Sequence, residues 1–358
     1  MTVLPSVPAP FRLPVGRTIL VLLVLLAGAL ILGTTIGAEP TPLAGVLRAI
    51  GHRIVPDLVL PPVNVLAEDV DGAILSDIVW SFRVPRVLLA ALVGASLAIA
   101  GVALQGLLGN PLADPYFVGV SSGAAVGAGT AFLLGIAGLL GGLMLPLCAF
   151  AAALATTALV FALARVGGQL HTASFLLAGI VAGSFLWALT TLLLSLRQDT
   201  QGQILEWLMG RFSDADWSKV GLLAPFTLLS VVVFAWCGRG LDAFSFGEDT
   251  ARSVGVDVER FKAGVLSLAA LVTAAAVSVS GIIGFVGLVV PHLGRRLVGP
   301  PHRALVPVAA LLGAILAVLA DLLARTVLGE GQELPVGVVL ALLGAPLFAY
   351  LLRRQMGR

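Results

Sequence analysis

Lysine is almost missing from this sequence: its 358 residues include only Lys219 and Lys262. Val220 follows the first and Ala263 the second. Neither lysine can complete the glycine-rich loop whose Lys-Ser or Lys-Thr pair holds nucleotide phosphates and magnesium. The chain therefore does not bind ATP through such a loop. His52, His171, His292 and His302 are scattered, with no H-E-x-x-H pair, and build no metal centre. No convergent His, Asp and Glu mark one face, so no catalytic residues are assigned. No cofactor or metal is expected, and an enzyme is the least favoured class. Cys148 and Cys237 lack ligand spacing and read as small hydrophobes. Charged residues make up 11% of the chain, and no basic tract is present to bind nucleic acid.

What fills the chain instead is hydrophobic, 59% of residues, with a mean hydropathy of +1.07 that places it among integral membrane proteins. At about 20 apolar residues per crossing there is room for roughly ten spans. Apolar runs place them near 18–37, 87–108, 117–137, 142–164, 173–195, 219–237, 263–280, 282–298, 304–328 and 334–352. The expected fold class is an all-α polytopic membrane protein, with a single transmembrane domain over 1–358. Its 42 glycines permit close helix approach and so a dense bundle. The first run, about 20 residues, exceeds a signal peptide's apolar core and reads as a retained span.

Arg and Lys in short loops set the orientation. Thirteen lie on the side of the termini and eight on the other, which puts both termini in the cytoplasm. Three segments lie outside the spans. These are an outer loop 38–82, an outer amphipathic helix within 196–218 with Trp207 and Trp217 at the interface, and an inner loop 238–262.

Several polar groups stand where lipid would not tolerate them. Arg83 and Arg86 open the second span on the outer side, and Arg325 closes the ninth. Arginine suits bidentate carboxylate recognition. Because these three run against the charge bias, an acidic partner outside competes with plain snorkelling to the interface. Asn110, Pro111, Leu112, Ala113, Asp114 and Pro115 form an inner turn, since the prolines stop helices and the polar side chains cap or turn the backbone. The functional alternative is a constriction at the inner mouth of a pathway. Gly119, Gly123 and Gly127 recur every four residues and read as a packing face. In the inner loop, Glu248 and Asp249 suit a helix start, and Arg260 and Lys262 suit the end of a second helix, split by Gly255. Ala251, Val254, Val258 and Phe261 recur at helical spacing as one apolar face, suited either to the membrane surface or to a groove on a soluble partner, with the two acids at its start favouring the partner.

In order along the chain, Arg83-Val84-Pro85-Arg86, Gln105-Gly106, Asn110 to Pro115, Gly119-Val120-Ser121-Ser122-Gly123, Gly247-Glu248 with Ala251 and Gly255-Val256, Ser280-Gly281 through Pro291-His292, and Glu333-Leu334-Pro335-Val336-Gly337 resemble the FecCD-type permeases. These belong to bacterial ABC importers for iron–siderophores, haem and vitamin B12. The motifs cover the chain from about residue 76 onward. The resemblance implies ten spans in the inner membrane and a homodimer whose axis carries the substrate, lined by the fifth and tenth spans and the short outer helix. It implies two cytoplasmic ATP-binding subunits docked on Gly247, Glu248, Asp249, Ala251, Arg252, Val254, Gly255 and Val256. It implies a periplasmic substrate-binding protein whose glutamates meet Arg83, Arg86 and Arg325, and an inner gate at Asn110, Leu112 and Thr172.

The expected function is import of an iron chelate, ferric siderophore or haem, by alternating access, with cobalamin as the alternative cargo. An ion-coupled secondary transporter would need intramembrane carboxylates. Asp321 and Glu333 are the acids nearest the spans, both close to an outer end, which disfavours that class.

Overall fold

Apolar runs this long cannot leave backbone N–H and C=O groups to lipid, so they fold as helices, and each of the ten expected runs holds one. The computed structural model describes residues 14–37, 41–54, 76–166, 169–329 and 332–356; much of the expected loop 38–82 lies outside the described residues. In chain order the helices are α1 (Val15–Thr35), α2 (Leu43–Ile54), α3 (Ser76–Leu108), α4 (Val120–Leu133), α5 (Met144–Ala164), α6 (Thr172–Leu196), α7 (Gln198–Leu208), α8 (Trp217–Trp236), α9 (Gly238–Phe244), α10 (Glu248–Ser253), α11 (Val258–Ser280), α12 (Val286–Val298), α13 (His302–Thr326) and α14 (Val336–Met356). A two-residue antiparallel ladder, β1 (Arg165–Val166) with β2 (Gln169–Leu170), joins α5 to α6.

Seven of these, α1, α3, α5, α6, α8, α11 and α13, are long and apolar enough to cross a membrane. The other three expected spans are α4, α12 and α14, and the first two are cut short. α4 has 14 residues, about 21 Å at the helical rise, against a hydrocarbon core of about 30 Å. Its start is displaced by the 3-10 turn Pro115–Val118 and by Gly119 at φ 79°. α12 has 13 residues because the chain stays non-helical over 282–285. The Tyr116 hydroxyl donates to Ile283 O at 2.7 Å and accepts from Ile283 N–H at 3.0 Å, supplying what the missing helix would have.

α3 is the centre of the bundle, packed by α13, α11, α8 and α12. It crosses α13 glycine to glycine. A Cβ on Gly94 would stand 2.1 Å from Gly313 O, and one on Gly313 would stand 2.3 Å from Gly94 O. Polar ties lock the same helix: Ser96 and Thr227 share a hydroxyl bond at 2.8 Å. Gln105 donates to Gly287 O at 3.1 Å and accepts from Arg295 at 2.7 Å. The Gly119 stripe packs as expected, since a Cβ on Gly123 would meet Thr156 and one on Gly127 would meet Cys148 O.

The two tryptophans expected at the interface differ in exposure. Trp217 is partly exposed at the start of α8, its Nε1 donating to Trp80 O at 2.8 Å. Trp207 is buried instead. The end of α7 is stitched to two other helices, Arg211 N–H to Ser280 O at 2.8 Å and Val336 N–H to Gly210 O at 3.0 Å, which draws its last turn inward. α6 by contrast leaves Leu177, Ile180, Val181 and Phe185 exposed along one side.

Candidate functional site

Arg86 and Asn110 stand at opposite ends of α3, 24 residues and roughly 36 Å of helical rise apart. Each end carries one group of the expected residues.

At the Arg86 end, Pro85 removes a backbone donor and crowds the turn before it. The helix accommodates it with a π turn over Val79–Arg83. Arg83 and Arg86 then lie three residues apart, neighbours on the helix surface. Arg83 donates to Thr34 O at 3.2 Å and Thr41 Oγ1 at 2.9 Å, tying α3 to the segment after α1. Arg86 forks both ways. Its Nη2 lies 2.8 Å from Asp321 Oδ1 and its Nη1 lies 2.8 Å from Glu333 Oε1. Arg325 completes the cluster, 3.5 Å from Asp321 Oδ2 and donating to Gly33 O at 2.6 Å. Asp321 is 1% exposed and Glu333 38%. Burial raises the Glu333 carboxyl, but Arg86 outweighs it and holds the group below its ordinary value. The acid that sequence reasoning sought outside the chain is, for Arg86 and Arg325, inside it. Asp321 and Glu333 are likewise committed to arginine.

At the other end, Asn110 Oδ1 accepts from Leu112 N–H at 2.9 Å, closing the expected turn and leaving Asn110 and Leu112 exposed. Asp114 caps the next turn through Tyr116 N–H at 2.8 Å. Its burial pushes the carboxyl up to about 6, against that hydrogen bond. α6 packs against this turn and begins at Thr172. A cavity of about 400 Å³, lined by Gly109, Pro111, Ser245, His292 and Arg295, joins the Asn110 turn to the α9–α10 loop.

That loop differs from expectation in its faces. Gly247 and Gly255 adopt φ 107° and 87°, left-handed values that favour glycine. They bracket α10, whose first turn holds Glu248 and Asp249 as expected. α10 ends at Ser253 and α11 begins only at Val258, so Val254 falls outside both helices and the predicted single apolar face divides. Ala251 and Val258 turn inward and Phe261 stacks on Phe244 at 5.2 Å, while Val254 is 65% exposed. Ala251 is therefore an anchor of the loop rather than part of its outer surface. Arg260 and Lys262 lie at the beginning of α11, not at a helix end, because Asp257 starts that helix by accepting from Arg260 N–H. Arg252 lies 3.5 Å from Asp249, and Val256 N–H closes the loop on Ala251 O at 3.1 Å. Sequence reasoning missed Phe246, 80% exposed just before α10. Its signal is a lone aromatic beside a glycine, which periodicity does not register.

The structure is thus a bundle of apolar helices of membrane-spanning character with ion-paired arginines at one end and a short helix flanked by exposed apolar residues at the other. The FecCD transport family model matches residues 21–354, and the chain belongs to that family. It is 45% identical over 332 residues to the uncharacterized ABC transporter permease YvrB of Bacillus subtilis, covering 92% of this chain and 91% of that one. It is 45% identical to the cobalamin import permease BtuC of Halobacterium salinarum, over 77% of this chain and 73% of the relative. The hemin transport permease HmuU of Yersinia pestis is 41% identical, over 77% and 84%. Among solved structures, an inward-facing conformation of a transporter assigned to the metal-chelate ABC type superposes with a TM-score of 0.79 at 30% identity, covering 95% of this chain and 99% of that one. The protein is thus an ABC importer permease of that family.

Proposed function

We propose that residues 1–358 form one permease domain that pairs with a second copy in the bacterial inner membrane. The pair carries an iron chelate, ferric siderophore or haem, from periplasm to cytoplasm. The observation that carries this reading is α10, a short helix held out from the bundle with Phe246 and Val254 bare, a shape suited to the groove of a soluble ATPase. The α10 end, and with it both termini, then lies in the cytoplasm. Residues Gly247, Glu248, Asp249, Arg252, Val254, Gly255 and Val256 meet the ATPase while Ala251 anchors them. At the Arg86 end, Arg83, Arg86 and Arg325, gathered with Asp321 and Glu333, form a charged face on which an acidic lobe of the periplasmic binding protein docks. The bare side of α6 faces the second copy and the substrate path. Asn110, Leu112 and the start of α6 at Thr172 form the inner gate. ATP-driven closure of the ATPases moves α10, and the two copies rock to expose the path on alternate sides.

Reconstitution in proteoliposomes with the cognate ATPase and binding protein tests this. ATP-dependent uptake of haem or a ferric siderophore is expected. The likeness to BtuC favours a second reading, and uptake of cobalamin alone would establish it. Failure to associate with any ATPase overturns the reading altogether.

A further inference from the structure

Lys262 is buried, 5% exposed at its side chain, in a chain that holds only one other lysine. Its ammonium has three N–H donors and meets three acceptor groups from three segments. It donates to Leu170 O at 2.7 Å and to both Glu248 carboxylate oxygens at 3.1 Å, and it lies 3.3 Å from Glu259 Oε1. Glu259 Oε2 in turn accepts from Leu170 N–H at 3.0 Å. Both backbone groups of Leu170 are therefore held by side chains of the first turns of α11, and the same lysine grips the first turn of α10. Leu170 ends β2, two residues before α6 begins.

From this juxtaposition we infer that Lys262 is a positioning residue that transmits movement of α10 to the start of α6. The inference rests on the proposed function, which puts the ATPase on α10 and the gate at the start of α6. Its chemistry follows from the geometry. α10 is six residues long and has little else to grip the rest of the protein besides Ala251. A displacement of Glu248 pulls on the ammonium through a charge-assisted contact shared by both carboxylate oxygens. The ammonium passes that pull to a backbone carbonyl of the α6 lead-in rather than to a flexible side chain. A guanidinium is planar with its donors in a fixed fork and does not reproduce a three-way tripod. Lysine at this position thus has a geometric reason in a chain that otherwise uses arginine.

The test uses the full permease with its ATPase and loaded binding protein in proteoliposomes, comparing wild type, Lys262→Met, Lys262→Arg and Glu248→Gln. Substrate transported per ATP hydrolysed is measured together with co-purification of the ATPase. Lys262→Met is expected to keep the ATPase bound and hydrolysing while transport per ATP falls about tenfold, within the range of ordinary coupling energies. Lys262→Arg should recover only part of it. Glu248→Gln removes the charge from a half-exposed group and should lower coupling severalfold in a folded protein, so it decides the matter if Lys262→Met does not fold. Wild-type coupling ratios in Lys262→Met and Glu248→Gln would overturn the inference and leave the proposed function standing. A wild-type permease that neither binds nor responds to an ATPase would overturn both.

Discussion

The two ends of the bundle each carry a charged cluster, and the clusters are built differently. At one end Asp321 sits 1% exposed between Arg86 and Arg325, all on long helices of the core. At the other, Lys262 is buried but its partners Glu248 and Glu259 are about two-fifths exposed, on the first turns of α10 and α11. Burying charge costs free energy that pairing must offset. Asp321 has no water to fall back on, and with its two arginines it acts as a weld. The second can trade a protein partner for solvent on its carboxylate side and so can be worked repeatedly without unfolding anything. Position along the same bundle thus separates a fixed joint from a moving one.

The sharpest way to break that contrast is Arg86→Met, which leaves buried Asp321 with Arg325 as its one arginine among the described residues. A loss of about 3–5 kcal/mol of stability is expected, read as a lowered melting temperature in detergent, with Asp321→Leu restoring most of it. An unchanged melting temperature would mean the joint is not a weld. Next in size is Gly94→Ala, whose new methyl would meet the Gly313 carbonyl. Overpacking of this kind typically costs about 1–3 kcal/mol, so a reduced melting temperature and yield are expected. At the opposite end, Phe246→Ser with Val254→Asp should abolish ATPase co-purification while shifting stability by less than about 0.5 kcal/mol, since both side chains are exposed. Ala251→Asp should instead damage the loop itself, and equal behaviour of the two variants would contradict the division of that face.

The smallest effect is a pH dependence. Glu333 lies below its ordinary value of 4.5, so its contribution is fully present above pH 4.5 and is lost as pH falls through the lowered value. The slope of melting temperature against pH in that acidic window should flatten in Glu333→Gln, and an unaltered slope would remove Glu333 from the weld.

Much of this architecture was legible in the residues. Each of the ten apolar runs holds a helix, the four-residue glycine spacing gave a real packing face, and Asn110 closes its turn through its own side chain. What stayed hidden depends on distant partners. Arg86 finds its acids 235 and 247 residues away, and no local pattern encodes that pairing. The shortening of α12 depends on Tyr116, which lies 167 residues earlier. The inner loop misled because α10 stops at Ser253, so Val254, the residue just past its last turn, is exposed while Ala251 within the helix is buried. Lys262 read as a helix-terminal charge because its three acceptors converge only in the folded chain.

The scarcity of lysine has a practical side. Lys219 is as enclosed as Lys262, its ammonium 2.7 Å from both the carbonyl and the carboxylate of Asp214. Amine-selective reagents should therefore find no accessible side-chain target on the folded chain, leaving only the α-amino terminus. Labelling of Lys262 that appears during the ATP cycle would be a nearly background-free signal that the joint beneath α10 has opened.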